Sequence, residues 1–97
     1  MINNPQATGV IFYYHNNDVN ETRLLKTGVG KLKRIVFNGP ALGTLTVYDN
    51  ILGVGSIIAR ITLAAGQPLL LEYDLSFTIG LTYVSVSNIG SFTIIYE

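Results

Sequence analysis

Apolar and polar residues alternate along most of the chain, and nowhere do the apolar positions keep the i, i+3, i+4, i+7 spacing of an amphipathic helix. A period of two predicts an all-β chain. Gly9 to His15 reads as a first strand, with Val10, Phe12 and Tyr14 on one face and Ile11 and Tyr13 on the other. His15 is expected to end it as a polar tip. The run Asn16-Asn17-Asp18-Val19-Asn20 reads as a loop, because its side chains can satisfy turn backbone groups. Thr22 to Thr27 and Lys31 to Phe37 follow as strands, and Gly28-Val29-Gly30 between them predicts a hairpin.

Asn38-Gly39-Pro40 breaks the pattern, since proline brings no ladder donor and Asn-Gly accepts positive φ. A fourth strand covers Gly43 to Tyr48, ended by Asp49 and Asn50. Ser56 to Leu63 has the cleanest half-buried pattern, with Ile57, Ala59, Ile61 and Leu63 opposite Arg60 and Thr62. After the loop 64–68, Leu69 to Phe77 sets Leu71, Tyr73, Leu75 and Phe77 against Glu72, Asp74 and Ser76. Leu81 to Ser87 and Ser91 to Tyr96 complete the series, separated by turns at Thr78-Ile79-Gly80 and Asn88-Ile89-Gly90. About eight short strands at even spacing predict an antiparallel β-sandwich, with a jelly roll ahead of an immunoglobulin-like Greek key.

The 97 residues allow one domain, 1–97, with residues 1–8 as an N-terminal arm. With no cysteine, there is neither disulfide nor zinc-thiolate site nor thiol nucleophile. Six bases balance six acids, which argues against nucleic acid as a partner, because phosphate contact demands a basic surface. No apolar run approaches the roughly 20 residues of a membrane-spanning helix. The start of the chain, Met1 to Gln6, lacks the basic and apolar regions of a secretory signal. Hydrophobic residues make up 48% and charged residues only 12%, about half the share usual in soluble domains. Such a surface predicts self-association.

Candidate chemistry is sparse. His15 is the only histidine, so no multi-histidine metal site can form within one chain, and any serine or threonine nucleophile would have to be served by His15 or by a lysine. A serine nucleophile would have to come from Ser56, Ser76, Ser85, Ser87 or Ser91, none of which lies in a Gly-x-Ser-x-Gly turn. Asn16, Asp18 and Asn20 have the alternate oxygens of a calcium loop, but Glu21 and Thr27 stand where its glycine and bidentate glutamate belong. Glu72 and Asp74 share a strand face about 7 Å apart, within glycosidase carboxylate separations, yet their alternation with leucine and tyrosine marks a solvent face. Gly28-Val29-Gly30-Lys31 lacks the first glycine and the following helix of a phosphate loop. Asn20-Glu21-Thr22 matches a glycosylation sequon, which carries little weight without a signal segment. The chain is expected not to be an enzyme and to need no cofactor or metal.

Two clusters stand out. Arg23, Lys26, Lys31, Lys33 and Arg34 supply five of the six bases within what reads as one hairpin. They suit either protection of a sheet edge or docking on an acidic surface. In Phe12-Tyr13-Tyr14, successive rings must face opposite ways, so one points away from the core. Partner binding is therefore expected at Phe12, Tyr13 and Tyr14 as anchors, with Lys31, Lys33 and Arg34 at the rim.

Several segments together resemble a group of short β-sandwich proteins of tailed bacteriophages. They are Leu24-Leu25-Lys26-Thr27-Gly28-Val29-Gly30-Lys31-Leu32, Leu45-Thr46-Val47-Tyr48-Asp49, Ile57-Ile58-Ala59-Arg60-Ile61, Leu71-Glu72-Tyr73-Asp74-Leu75-Ser76-Phe77-Thr78-Ile79-Gly80-Leu81 and Phe92-Thr93-Ile94-Ile95-Tyr96. The resemblance spans about residues 22 to 97. It implies a virion role: a head decoration or cement protein, bound in many copies to the major capsid protein or another virion protein, and commonly trimeric. It also implies that the stretch before Asn20 is an arm or contact segment. The alternative is a receptor- or glycan-binding module of a phage fibre or adhesin.

Overall fold

The computed structural model describes residues 10–38, 43–63, 69–87 and 90–97, among which there is no helix. Its strands are β1 (Phe12–Asn17), β2 (Thr22–Thr27), β3 (Gly30–Phe37), β4 (Gly43–Asp49), β5 (Ser56–Leu63), β6 (Leu69–Phe77), β7 (Gly80–Val86) and β8 (Ser91–Tyr96). Sheet A has the order β1-β8-β3-β6 and sheet B the order β2-β7-β4-β5. All neighbours are antiparallel.

The pairs β1/β8, β2/β7, β3/β6 and β4/β5 are nested like rungs of one long hairpin closed at the β4–β5 turn. Wrapping that hairpin sends alternate rungs to opposite sheets, and the β3/β8 and β4/β7 ladders stitch each sheet together. This is jelly-roll order, as the sequence predicts. The arrangement works because each strand has one apolar face to bury. Leu32, Ile35, Phe37, Phe77, Phe92 and Ile94 of sheet A meet Leu45, Val47, Ala59, Leu81 and Tyr83 of sheet B in a single core. Burying side chains of this size contributes about 1.5–3 kcal/mol each, before entropy is set against it.

Four strands keep the bounds that the pattern predicts: β2, β5, β6 and β8. β3 and β7 each begin one residue sooner, at Gly30 and Gly80, β7 also ends one residue sooner, at Val86, and β4 runs on through Asp49. The first strand differs more. It continues past His15 to Asn17, so His15 lies within the strand and is not its tip. Asn16 belongs to the strand because its amide is satisfied in the interior, donating to Val19 O at 2.9 Å and accepting from Val19 N–H at 2.8 Å. The expected start at Gly9, the arm 1–8, the Gly39-Pro40 break, the loop 64–68 and the turn residues 88–89 lie outside the described residues.

The expected β2–β3 hairpin is overturned. β2 pairs with β7, whereas β3 pairs with β8 and β6, so the Gly28–Val29 turn carries the chain from one sheet to the other. Leu25 on β2 and Leu32 on β3 both pack toward the core instead of lying in one ladder. The five bases consequently do not share a hairpin. Arg23 and Lys26 belong to sheet B, and Lys31, Lys33 and Arg34 to sheet A.

Two glycines separate the demands of conformation from those of space. Gly28 has φ +92° in the crossing turn, and a side-chain carbon there would meet nothing within 4 Å. At Gly43, with φ +100°, the same carbon would run into the backbone carbonyl oxygens of Val86 and Ser87. Gly28→Ala should therefore cost about 1–2 kcal/mol, from left-handed backbone alone. Gly43→Ala should cost about 3 kcal/mol or more, because strain and overlap combine. Urea unfolding midpoints compare the two; equal losses would contradict this account.

Candidate functional site

The β8 core residues Phe92 and Ile94 point inward, so Thr93 and Ile95 point out, and their ladder partners share that outer face. Tyr13, Ile95, Arg34 and Glu72 form one row across sheet A, and His15, Thr93, Val36 and Leu70 form the next. Of the three consecutive rings, only Tyr13 points outward, and at 74% it is the most exposed large hydrophobic side chain described. Phe12 stacks on Tyr96 at 5.7 Å between ring centres. Tyr14 turns inward against Tyr83 at 6.2 Å, with the Arg23 guanidinium 4.7 Å above its ring. The structure thus gathers Tyr13, Lys31, Lys33 and Arg34 on one surface, and sets Phe12 and Tyr14 on the other side of their strand.

The basic residues on this surface do not make a positive patch. Lys33 Nζ lies 3.0 Å from Asp74 and 3.3 Å from Glu97, and Lys31 Nζ lies 3.7 Å from Asp74. Arg34 Nε is 3.5 Å from Glu72 Oε1, an ion pair whose geometry closes no hydrogen bond, leaving that buried nitrogen unpartnered. Three cations thus face three carboxylates. The hydrogen bond from Lys33 lowers the Asp74 pKa, and the same bond raises that of Lys33. Exposed pairs of this kind stabilise a fold little. They do fix the electrostatic character of the face, which is polar and close to neutral.

A second cluster, invisible as a motif, ties the sheets together at the β1–β2 connection. Glu21 accepts from Arg23 through both oxygens, at 3.0 and 3.1 Å, and from Asn16 Nδ2 at 3.1 Å. The Tyr83 hydroxyl donates to the same carboxylate and accepts from Asn16 Nδ2 at 3.0 Å. The Arg23 hydrogen bond is the main cause of a Glu21 pKa below the usual carboxylate range. Burial, with the adjacent carboxylate, pushes the Tyr83 phenol far up. Ser85 completes the cluster, donating to Val19 O at 2.8 Å and accepting from Glu21 N–H at 3.0 Å. The one local signal for it is Glu21-x-Arg23, two opposite charges at the spacing that shares a strand face.

Asp49 plays a comparable part at the other end of the sandwich. Its carboxylate accepts from the backbone N–H groups of Thr78, Ile79 and Gly80, at 2.8 to 3.3 Å, and so ties the β6–β7 turn to β4. Burial, which alone would raise its pKa, is outweighed by these donors, and the net shift is downward.

The remaining candidates have ordinary structural partners. His15 contacts Thr93 Oγ1 at 2.9 Å and Ser91 Oγ at 3.2 Å, so where a hydrolytic triad needs a carboxylate behind the imidazole there is a neutral hydroxyl. Asp18 Oδ1 accepts from Gly90 N–H at 3.1 Å, and Asn16 Oδ1 is taken by Val19. Among the described residues no group of three or more His, Cys, Asp or Glu could hold a metal ion. Comparison with family models, with curated proteins and with solved structures gives no match.

The depressed carboxylates give stability a direction with pH. A group whose folded pKa lies below its unfolded value contributes stability above the unfolded value and loses it as pH falls through the folded one. Glu21→Gln should lower the urea midpoint at pH 7 and flatten its fall between about pH 4.5 and pH 2. Tyr83→Phe should cost about 1–2 kcal/mol at pH 7. Combined with Glu21→Gln it should be non-additive by at least about 0.5 kcal/mol. Additive losses in such a cycle would mean that the two groups do not act together.

Proposed function

We propose that the protein is a non-enzymatic structural protein of a virus particle, held in many copies as a head decoration or cement protein on the major capsid protein or another virion protein. The observation that carries this reading is the outer face of sheet A, where the exposed Tyr13 ring and Ile95 adjoin a self-neutralised lattice of Lys31, Lys33, Arg34, Glu72, Asp74 and Glu97. A sheet face with an aromatic anchor beside balanced polar groups suits recognition of another protein surface. Jelly rolls serve in capsids and in lectins, so the fold supports the reading without deciding it. The segment resemblance to tailed-phage virion proteins and the low charge of the chain support it further. Localisation in the virion and association of the protein with its own copies belong to the same proposal.

Co-sedimentation with tailed-phage capsids that lack the protein is the direct test, using the full chain. Tyr13→Ala should weaken binding by about 2 kcal/mol, roughly 30-fold, at every salt concentration if the ring is an anchor. Joint reversal of Lys33 and Arg34 to glutamate should alter the salt dependence and the association rate, since Glu97 and Glu72 would then stand unopposed and Asp74 would keep only Lys31. Binding to immobilised sugars with no affinity for any capsid would replace this reading with that of a glycan-binding module.

A further inference from the structure

Sheet A ends in β1 and β6, and sheet B in β2 and β5. Three of these four edges carry the devices that discourage another strand from adding. On β2 the register slips between Leu24 and Lys26, and Arg23 and Lys26 lie on the strand. On β5 the step from Ile57 to Ala59 spans one step of β4, and Arg60 follows. On β6 Tyr73 and Asp74 together oppose Lys33, and the charged Glu72 comes next on the strand. β1 has neither device. Its residues Phe12–Asn17 pair one for one with Tyr96–Ser91, without a slip, and include no Lys, Arg, Asp, Glu or Pro.

The direction of the unpaired backbone groups follows from the ladders. Lys31 and Glu97 exchange bonds of 2.8 and 2.9 Å, and Asn38 N–H donates to Ser91 O at 2.8 Å. Odd-numbered residues of β8 therefore bond to β3, and even-numbered ones, Phe92, Ile94 and Tyr96, bond to β1. Their partners on β1 are Asn16, Tyr14 and Phe12. The N–H and C=O groups of Tyr13 and His15 consequently point away from the sheet. Next to them, Val10, Ile11, Phe12 and Tyr13 are four consecutive exposed apolar residues, at 59, 61, 45 and 74%. Four exposed apolar residues in a row beside a regular open edge is a pattern that water disfavours and a paired strand relieves.

We propose that this edge is a homotypic strand-pairing site, where a second copy of the chain adds its own β1 antiparallel to this one. A strand supplied by a second copy must come from one of its four edges, and bulges and charges obstruct three of them. β1 is the edge that fits, and it fits itself. Antiparallel pairing of identical strands is symmetric about a two-fold axis and closes at two copies, joining the two A sheets into one of eight strands. Tyr13 and His15 of each copy exchange backbone bonds with the same residues of the other. The uncharged strand sets no like charges against each other. The proposal concerns the protein on its own and does not depend on the virion reading.

Sedimentation equilibrium of the full chain at tens of micromolar should give twice the 10.6 kDa chain mass. Amide hydrogen exchange supplies a readout that needs no variant: the Tyr13 and His15 amides, unbonded among the described residues of a single copy, should exchange at least tenfold more slowly at high than at low protein concentration. His15→Pro removes one edge donor without touching the β8 ladder, because residue 15 does not bond to β8. It should raise the dimer dissociation constant at least 100-fold, with an unchanged far-ultraviolet circular dichroism spectrum; His15→Lys, which keeps the backbone donor and adds a charge beside the axis, should act in the same direction. Leu70→Lys on the β6 edge should leave the dimer intact. A single-copy mass at tens of micromolar, a trimer, or a dimer whose Tyr13 and His15 amides exchange at an unaltered rate would overturn the proposal.

Discussion

The ring of Tyr83 is where the two sheets are joined. It rises from the middle of sheet B into full burial and meets Phe92 of sheet A edge-on, with ring centres 5.3 Å apart and planes at 82°. That geometry sets the positive edge of one ring against the negative face of the other, a contribution of about 0.5–1.5 kcal/mol beyond burial. The hydroxyl end of the same side chain enters the cluster of Glu21, Asn16 and Arg23. One residue thus anchors the apolar core and, through its oxygen, the corner where β1 gives way to β2. The inward turn of Tyr14 follows from this, since its ring packs on Tyr83 beneath Arg23. With Tyr14 turned inward, strand alternation leaves Tyr13 no direction but outward, and the exposed ring on sheet A is a consequence of the buried one.

Strand positions were legible in the sequence, because a half-buried strand writes its own period of two. The segments Ser56–Leu63 and Leu69–Phe77 show this most plainly, matching the observed bounds at both ends. Sheet membership was not legible. Gly28-Val29 satisfies the chemistry of a tight turn equally well whether it joins two strands of one ladder or crosses between sheets, and only the partners of β2 and β3, more than thirty residues away, decide between them. The inward faces were legible only in part, since a bulge shifts alternation by one. Ile57, expected on the apolar face with Ala59, is exposed, whereas Ile58 packs against the core. The Glu21 cluster was out of reach for a similar reason: its hydrogen-bonded partners lie up to 67 positions apart.

Charge is where sequence and structure diverge most usefully. Along the chain the bases crowd into residues 23–34 and four of the six acids follow residue 48, which reads as a polarised molecule. Folding cancels most of that polarity. β3 carries Lys31, Lys33 and Arg34 and lies between β6, with Glu72 and Asp74, and β8, which leads into Glu97. Nested pairing brings distant parts of the chain side by side, so a segregation of charge along the sequence becomes a pairing of charge across the sheet. Arg60 and Lys26 are the cations left without an ion pair among the described residues, and they lie on the two edge strands of sheet B. There a lone charge has the simple use of discouraging a further strand.

Cancelled charge also limits how any partner can be recognised. A surface of paired ions projects little field beyond the roughly 10 Å over which 0.1 M salt screens exposed charges, so it does little to steer a partner from a distance. Discrimination must then act at contact, through shape, buried apolar area and the alignment of polar groups already held in place by their neighbours. The outer face of sheet B differs in kind. There Gly53 packs over Thr22 and Val84, Thr82 donates to Asn50 O at 2.7 Å, and the loop 51–55 leaves Ile51, Leu52 and Val54 exposed beside Leu24. None of the carboxylates in the ion pairs of sheet A lies on that face. The two broad surfaces of the sandwich therefore differ, one lined by balanced ion pairs and the other carrying threonines, Arg60 and the aliphatic side chains of loop 51–55, while β1 presents a regular edge of backbone. One winding of the strands thus gives a protein of 97 residues with few charges three surfaces of different chemistry.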